Sequence, residues 1–536
     1  MTPGTHEPSI LGHLMLAFEG VRVPAWVHER LAAAPAAGFT LFRPLNVRSP
    51  RQVRALTTAL QAASGAALPL LIAADQEGGQ LMALGPGWTP FAGPMAIGAT
   101  GDADLAERVG RAIGLELRAV GVNVNYAPVL DLANPANVAQ GIRSFSDDPA
   151  TVARLGSAWL RGVQSAGVAA TLKHFPGAGG VEVDTHHALA VVDRPRAELE
   201  TTELRPFRVA VEGGARMVMS GHFASPGLTG SRVVPATLAR RVMDGVLREE
   251  LGFDGVSITD ALDMGALPQD AQAVDVIAAL RAGVDLLLAT SKHPARRRIE
   301  AALLRAADLE LIEPAALRRS TARIEGLKRW IAEFSDPGLE VVGSVERLAL
   351  ARELAERSLT LVRDDGLLPL RLRPGDLVLA VMPQPRDLTP ADTSSTVEPG
   401  LAAALRGRHD NVEEIVTGHP PTQAEIAAIR ERATRADVVV AGTIAVTPGS
   451  PQAILVQTLV ETGVPLVTVA LRTPWDLASY PAATTHVCTY SILPDSLEAL
   501  AAAMFGQSAG QAFPGRLPIG APAGVPAAAT SVGAAS

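Results

Sequence analysis

The sequence predicts an α/β protein in which a (β/α)8 TIM-like barrel is followed by a layered α/β sandwich domain. Apolar runs of strand length alternate with helical patterns eight times between residues 11 and 306. These runs are apolar throughout, which is typical of parallel strands that helices cover on both faces. After residue 345 the alternation resumes with five apolar runs, too few for a second barrel and suited to a layered sheet.

The eight predicted barrel strands lie at 13–18, 39–43, 68–75, 122–131, 168–174, 216–222, 255–260 and 284–290. Helical patterns follow them at 24–36, 51–65, 104–120, 149–166, 196–212, 236–250, 269–282 and 295–306. Asp148 before Pro149 indicates a helix start, since an acidic cap precedes a proline at the first helical position. Eight such units in about 300 residues favour a closed barrel over an open doubly wound sheet, which is the alternative.

The chain is predicted to divide into a barrel at 1–306, a linker at 307–345, a sandwich domain at 346–519 and a disordered tail at 520–536. Predicted strands of the second domain lie at 358–363, 377–382, 437–443, 465–471 and 486–491. Its predicted helices lie at 345–358, 421–434, 451–462 and 495–506. The tail is dominated by Ala, Gly, Pro, Ser and Thr, a composition that cannot bury a core.

Composition and charge argue against several classes of protein. The net charge of −8 and the absence of a run of five basic residues argue against a nucleic-acid partner. The single cysteine, Cys488, excludes an intramolecular disulfide and a multi-cysteine zinc site. The sequence contains no stretch of about 18 apolar residues, so it predicts no membrane span. His6 and Glu7 near its start are not typical of a secretory signal. We expect a cytoplasmic protein that needs no metal and no cofactor.

Charged or imidazole side chains end five of the predicted barrel strands. They are Asp75, Asp131, Lys173 with His174, His222 and Asp260. Because chemistry in such barrels sits at the carboxyl ends of the strands, these side chains predict one polar cup at the barrel mouth. Asp131 is expected to be the structural member that closes the barrel rim.

The segment after the fifth predicted strand carries a second set of polar groups. Pro176, Gly177 and two further glycines disfavour regular structure and predict a loop. Within it Asp184 stands two residues before His186. A carboxylate at this spacing can fix the tautomer of the imidazole and stabilise its charged form. The pair is therefore a candidate for acid–base chemistry, although solvated loop residues are the simpler interpretation of either one alone.

Several stretches together resemble glycoside hydrolase family 3 and, within it, the bacterial β-N-acetylglucosaminidases. They are ADQEGG at 74–79, VNVNYAPVLD at 122–131, RSFSDDP at 143–149, KHFPG at 173–177 with DTH at 184–186, and GFDGVSITD at 252–260 with Met264. Weaker matches to the sandwich domain of two-domain members are VPLVTVAL at 464–471, RTP at 472–474 and GRLP at 515–518. The resemblance implies a retaining exo-hydrolase of terminal β-linked N-acetylglucosamine in peptidoglycan-derived or related saccharides.

The resemblance also implies a role for individual residues. Asp260 falls on the catalytic nucleophile, and Asp184 with His186 falls on the pair that serves as acid and base. The sugar-binding positions are Asp75, Arg143, Lys173, His174, His222 and Met264. A retaining glycosidase usually needs two carboxyl groups, and here a histidine, which holds a proton near neutral pH, would replace one of them.

The sequence departs from the family pattern at six positions around these motifs. They are Gln80 and Ala83 in place of two arginines, Ala178 and Gly180 in place of His and Asp, Val181 in place of Thr, and Ala261 in place of a second Asp. The nucleophile and the acid–base pair are unaffected. The departures bear on how the loop closes and on which sugar hydroxyls are contacted.

Other functions stay open at this stage. A nucleotide-dependent oxidoreductase would need a Gly-x-Gly-x-x-Gly fingerprint, and the glycines at 177, 179 and 180 have the wrong spacing. A sugar-binding protein that has lost catalysis is the alternative of another class. Within the family, a β-glucosidase or an N-acetylglucosaminide phosphorylase is the alternative. The second domain is expected to be a buttress that contributes no residue to the site.

Overall fold

The computed structural model describes residues 9–137, 140–181, 188–268, 270–289 and 293–520 of the chain. The candidate acid–base pair, Asp184 and His186, lies outside the described residues. So does the predicted disordered tail, apart from its first residue, Gly520, whose N–H donates to Asp147 Oδ2 at 2.7 Å.

Eight parallel strands close into a barrel in the first part of the chain. They are β1 (Leu14–Leu16), β2 (Gly38–Thr40), β3 (Leu71–Ala74), β4 (Val124–Asn125), β5 (Ala169–Phe175), β6 (Met217–Ser220), β7 (Val256–Thr259) and β8 (Leu287–Leu288). Each strand pairs with the next, β1 pairs with β8, and a parallel bridge between Ile258 and Leu286 closes the ring between β7 and β8. The predicted barrel is confirmed, and the open sheet is wrong.

A helix follows each barrel strand. The eight helices are Ala25–Ala33, Pro50–Ser64, Ala103–Ala119, Pro149–Ser165, Leu204–Glu212, the π-helical Arg241–Glu250, Gln272–Ala282 and His293–Asp308. The helix start predicted at Asp148 is confirmed, because Asp148 Oδ2 accepts the N–H of Thr151 at 2.8 Å. Capping of this kind satisfies a donor that the first helical turn leaves without a partner.

Shorter elements decorate the barrel. Helical turns lie at Ile10–His13, Arg43–Asn46, Pro94–Thr100, Gly141–Arg143, Arg196–Thr201, Pro226–Thr229 and Ala236–Leu238. Gln76–Gly78 and Leu81–Met82 form an antiparallel hairpin directly after β3, and Ala190–Val191 pairs in parallel with Phe223–Ala224. The hairpin places the ADQEGG segment at the barrel mouth.

A helix from the predicted linker seals the opposite end of the barrel. This helix, Pro314–Ala332, packs Ile324, Leu327 and Ile331 against the residues that fill the barrel interior. It also binds the amino-terminal end of the barrel, because Arg323 forms an ion pair at 2.6 Å with Asp285, which precedes β8. A barrel sealed in this way is open to solvent only at its carboxyl end.

The second domain is a six-stranded sheet between two layers of helices. Its strands are β9 (Thr360–Arg363), β10 (Val378–Pro383), β11 (Val412–Thr417), β12 (Val438–Thr443), β13 (Leu466–Ala470) and β14 (Thr485–Cys488), in the spatial order β9-β14-β13-β12-β10-β11. Only β9 is antiparallel. The helices are Val345–Ser358, Leu401–Arg406, Gln423–Ala433, Pro451–Glu461 and Pro494–Met504, with short turns at Leu339–Val341, Ser394–Thr396 and Asp476–Ser479. The predicted α/β sandwich is confirmed.

The strand order of the second domain reverses between β10 and β12, since the chain goes from β10 out to β11 and returns to β12. Ligands of open α/β sheets bind outside the carboxyl ends of the strands at such a point. The segment that leaves β10 at this point runs toward the mouth of the barrel, where Thr393 contacts the hairpin after β3. None of the described helices combines the length and the apolar character needed to cross a membrane.

Candidate active site

A cavity of about 620 Å³ opens at the carboxyl ends of the barrel strands. Seven of the predicted site residues line it. They are Asp75, Arg143, Lys173, His174, His222, Asp260 and Met264. The barrel brings them together from the ends of β3, β5, β6 and β7 and from the turn Gly141–Arg143. Asp131, the fifth strand-end residue of the predicted polar cup, is buried and does not line the cavity. The other two predicted residues, Asp184 and His186, lie outside the described part of the chain.

Four charged side chains form a buried network on one side of the cavity. Lys173 Nζ lies 2.7 Å from Asp75 Oδ1 and 2.6 Å from Glu77 Oε1. Arg143 binds the same Glu77 carboxylate with two hydrogen bonds of 2.8 and 2.9 Å. Asp75 is the most exposed member, at 23% of its side chain, so it presents an acceptor to the cavity. The other three hold each other in place, as buried charges must be paired.

The network fixes the charge state of its members. Burial would raise the pKa of Glu77, but the Arg143 and Lys173 cations outweigh it and lower that pKa to about 2. Burial would lower the pKa of Lys173, but the Asp75 and Glu77 carboxylates raise it. Glu77 and Lys173 are therefore ionised at neutral pH, and Lys173 is a hydrogen-bond donor rather than a base.

Glu77 was not among the predicted site residues. The turn that carries it needs glycine, because Gly79 has a φ of +63° and a Cβ there would lie 2.7 Å from Gly93 Cα. In the hairpin, Glu77 follows Asp75 by two residues. Since side chains two apart along a strand point to the same face, this spacing was a signal that could have identified Glu77.

A second chain of polar contacts leads from Asp131 through His174 to Asp260. Asp131 is fully buried and accepts hydrogen bonds from His174 N, Ala178 N and Gln140 Nε2 at 3.1, 2.7 and 3.2 Å. Its Oδ2 also lies 2.7 Å from His174 Nδ1, and His174 Nε2 lies 3.9 Å from Asp260 Oδ2. Burial would raise the pKa of Asp131, but His174 and the N–H donors lower it. Asp131 thus orients His174 from behind, which confirms its predicted structural role.

Asp260 stands at the end of β7 with its carboxylate toward the cavity. Its backbone N–H donates to Ser220 O at 3.0 Å, and its Oδ1 accepts the N–H of Ala261 at 2.7 Å. The side chain is 17% exposed, enough for contact with a bound molecule but not for free rotation in solvent. A carboxylate held this firmly beside a cavity is suited to nucleophilic attack.

His222 forms part of the cavity wall near Asp260. It is fully buried, and its Nδ1 lies 2.9 Å from Thr237 Oγ1. Burial lowers the pKa of His222 although the Asp260 carboxylate acts to raise it. At neutral pH His222 is therefore uncharged, unlike Lys173 on the neighbouring strand β5.

The described residues that precede the candidate acid–base pair lie at the cavity. Val181, the last described residue before the pair, lines the cavity, as does Ala178. Asn134 Nδ2 anchors the loop by donating to Gly179 O at 2.9 Å. Because Asp184 and His186 lie outside the described residues, their acid–base role stays a prediction from the sequence.

The second domain also lines the cavity, and the prediction that it contributes no residue is wrong. Seven of the lining residues lie between Asp387 and Thr396, in the segment after β10. Thr393 attaches this segment to the barrel, because its N and Oγ1 donate to Gln80 O at 2.8 and 3.0 Å. Nothing in the barrel motifs could have indicated a contact over more than 300 residues of chain.

Several departures from the family pattern lie at these contacts or at the cavity wall. Gln80, which stands in place of an arginine, accepts hydrogen bonds from Ile142 N at 3.2 Å and from Arg472 of the second domain. Ala83 and Ala261 line the cavity with small apolar surfaces. The departures thus leave the charged groups in place and change the walls around them.

Comparison with known proteins agrees with this arrangement. Residues 15–327 match the model of the glycosyl hydrolase family 3 N terminal domain. The structure of a glycoside hydrolase family 3 beta-N-acetylglucosaminidase from Paenibacillus sp. str. FPU-7 superposes with a TM-score of 0.90 and 35% identity, covering 96% of this chain and 99% of that one.

Two relatives extend the comparison. Beta-hexosaminidase A of Pseudoalteromonas piscicida is 37% identical over 65% of this chain, and the match spans 63% of that protein's length. A beta-N-acetylglucosaminidase/beta-glucosidase of Cellulomonas fimi is 29% identical over 96% of this chain and 91% of that protein. The family model covers more than half of the chain, and the barrel motifs meet at one cavity. The chain therefore belongs to glycosyl hydrolase family 3.

Proposed function

We propose that this protein is a retaining exo-β-N-acetylglucosaminidase that hydrolyses terminal β-linked N-acetylglucosamine. The relatives named above carry that activity or a β-hexosaminidase activity in their names. The observation that carries the proposal is Asp260, a firmly held carboxylate at the end of β7 that faces a cavity rich in charged donors and acceptors. The chemistry below follows from that placement.

In the proposed reaction Asp260 attacks the anomeric carbon and forms a glycosyl-enzyme, while the bond to the leaving oxygen breaks. His186 donates the proton that the leaving oxygen takes up, and Asp184 stabilises the imidazolium before the transfer. Water then attacks the same carbon, His186 removes its proton, and Asp260 is released. Two displacements on one carbon return the sugar with its original configuration.

Sugar binding is assigned to the charged network. Asp75 accepts from hydroxyl groups, while Lys173, Arg143 and His174 donate to hydroxyls and to the N-acetyl carbonyl. The network is already assembled by Glu77, so little side-chain ordering is needed when the sugar binds. Action on peptidoglycan-derived saccharides and a cytoplasmic location stay predictions from the sequence.

Turnover of two aryl glycosides tests the proposal. We expect the aryl N-acetyl-β-D-glucosaminide to be cleaved with a kcat/KM at least tenfold above that of the aryl β-D-glucoside. A mechanism-based fluorosugar should label Asp260, and Asp260→Ala should lower kcat by roughly 10³-fold or more while the fold persists.

Each alternative gives a different result. A preference for the glucoside would assign the protein as a β-glucosidase. Binding of N-acetylglucosamine without turnover of either glycoside would make it a lapsed sugar-binding protein. Label on another carboxylate, such as Glu77 or Asp131, would refute Asp260 as the nucleophile.

A further inference from the structure

The wall that the second domain adds to the cavity has little regular structure of its own. Between β10 and the helix Leu401–Arg406, only the short turn Ser394–Thr396 is regular. The segment is held by side chains instead. Asp387 accepts from Ser395 N and Oγ at 2.8 Å each, and Asp392 accepts from Ser394 N and Leu388 N at 2.9 and 3.1 Å. We call residues 387–396 the wall segment.

One cation joins this wall segment to the barrel. Arg472, which follows β13, forms an ion pair with Asp392 at 2.7 Å and donates through Nη2 to Gln80 Oε1. The Arg472 side chain is 2% exposed and that of Asp392 is fully buried. A guanidinium is planar and carries several donors in a fixed fork, so it can hold both partners at once.

The same contact reaches the charged network of the cavity. Gln80 Oε1 also accepts the N–H of Ile142, in the turn Gly141–Arg143 that carries the glutamate-binding arginine. Gly141 permits this approach, since a Cβ there would lie 2.5 Å from Gln80 Oε1. Gln80 Oε1 therefore accepts hydrogen bonds from both Arg472 and Ile142 N, and through this atom Arg472 connects the wall segment to the turn that carries Arg143.

We infer that Arg472 is a positioning residue of the active site, which fixes the wall segment of the second domain as one side of the sugar-binding cavity through Gln80 and Asp392. The site is incomplete without the second domain. This inference rests on the proposed function, because it assigns the wall segment to sugar binding.

The position of the Arg472–Gln80 contact predicts whether KM or kcat changes when this contact is lost. Gln80 follows β3, whose end carries Asp75, whereas Asp260 follows β7. Strands four apart in an eight-stranded barrel lie on opposite sides of the mouth. The wall segment therefore stands across the cavity from the nucleophile, and loosening it should weaken binding more than the chemical step.

The test uses the full chain and a matched set of variants. Arg472→Met removes the cation, and Gln80→Met removes the acceptor but leaves the ion pair with Asp392. Gln80→Glu restores an acceptor oxygen of similar size. Arg248→Met is the control, since Arg248 pairs with the buried Asp285 at 2.6 Å at the sealed end of the barrel. KM and kcat for an aryl N-acetylglucosaminide and hydrogen–deuterium exchange of the wall segment are measured for each.

We expect KM to rise about tenfold in Arg472→Met and several-fold in Gln80→Met, with kcat changed less than about threefold. Exchange of the wall segment should accelerate in both, and Gln80→Glu should return both readouts toward wild type. The Arg248→Met variant should lose thermal stability without either change. Should Arg472→Met fail to fold, the two Gln80 variants decide.

Several results would overturn the inference. One is unchanged KM in Gln80→Met and Arg472→Met, whatever the exchange shows. Another is an equal rise of KM in Arg248→Met, which would reduce the effect to general destabilisation. A wild-type protein that cleaves no N-acetylglucosaminide would refute the proposed function instead. In that case, unchanged hydrogen–deuterium exchange of the wall segment in Gln80→Met would still refute the role of the Arg472–Gln80 contact.

Discussion

At the scale of single residues, the acid–base role proposed for His186 predicts which leaving groups the enzyme can expel. A poor leaving group must take up a proton as its bond breaks, whereas an activated aryl oxide departs as an anion. We expect His186→Ala to lower kcat/KM by roughly 10²-fold or more on N-acetylglucosaminyl saccharides and far less on activated aryl glycosides. Steady-state rates on the two substrate classes measure the difference.

The neighbouring residues supply the control for this prediction. His187 is adjacent and carries the same side chain, so His187→Ala should be nearly silent on both substrates. Asp184→Ala should reproduce the pattern of His186→Ala more weakly, because the carboxylate acts only through the imidazole. An equal loss on good and poor leaving groups would contradict the acid–base role.

The charge of the acid–base residue also bears on the acceptor. After the first step a carboxylate would be an anion and would repel phosphate, whereas neutral His186 would not. We expect hydrolysis to dominate, since water is far more concentrated, with sugar 1-phosphate as a minor product at millimolar phosphate. Phosphorus NMR of reactions with and without phosphate measures the ratio. Sugar 1-phosphate as the main product would make the protein a phosphorylase and leave Asp260 and His186 in their roles.

Some residues of the site could be predicted from their position at the end of an apolar run. Asp75, His222 and Asp260 could be recognised because an apolar run ends at each of them, and parallel strands end at one edge. Glu77 could not be recognised by that criterion, because it stands in a hairpin after the strand. Its importance lies in its partners, Arg143 and Lys173, which are distant in sequence.

At the scale of elements, the hairpin after β3 contributes stability that depends on pH. Glu77 keeps a pKa of about 2 in the folded chain, below its ordinary value of 4.5. Ionised Glu77 therefore contributes about 3 kcal/mol to the free energy of unfolding above about pH 4.5. This contribution is lost as the pH falls toward 2. We expect Glu77→Gln to be destabilised at pH 7, with a gap to wild type that closes as the pH falls through this window.

Thermal melts of the two proteins between pH 7 and pH 2 measure that gap. Glu325→Gln is a matched control, because Glu325 pairs with Arg329 on an exposed helix face and should contribute less than about 1 kcal/mol. A gap between wild type and Glu77→Gln that stays constant down to pH 2 would show that Glu77 is not held ionised by the cations.

Most elements of both domains could be predicted. Those that were missed include the helix Leu401–Arg406, the hairpin after β3 and one strand of the second sheet. Strand β11 (Val412–Thr417) was not predicted, because Glu413 and Glu414 interrupt its apolar pattern. It is an edge strand, half-exposed along its length, and those glutamates pair with Arg432 and Arg406 at its surface. Charged side chains on an edge strand protect it from pairing with other chains, and the same charges hide the strand from pattern analysis.

At the scale of the whole molecule, one hydrophobic cluster spans the two domains, in addition to the clusters inside each. The largest cluster of buried apolar residues runs from the barrel helices into the second domain, including Leu354, Val456, Tyr480 and Leu517. Ion pairs of Arg357 with Asp102 and of Arg108 with Glu353 cross the same interface. Neither domain can therefore unfold without exposing apolar surface of the other.

We expect thermal unfolding to occur in a single transition, although proteins with two domains often show more. Differential scanning calorimetry should give one endotherm with a calorimetric enthalpy close to the van't Hoff enthalpy. A chain that ends at residue 345 should aggregate, because it leaves its side of the shared core open to water. Two separated endotherms, or a soluble and active barrel fragment, would contradict this expectation.

The wall segment has a consequence for protein engineering. The barrel carries Asp260 and the charged network, whereas one wall of the cavity is a single loop supported by a different sheet. We expect that residues 384–397 can be exchanged between two-domain relatives without altering any barrel strand, provided that Asp392, Arg472 and Gln80 are kept, because these three residues hold the segment to the barrel. The wall segment can thus be varied while the charged groups of the barrel stay unchanged, and a graft of this loop measures how much of the substrate range it sets.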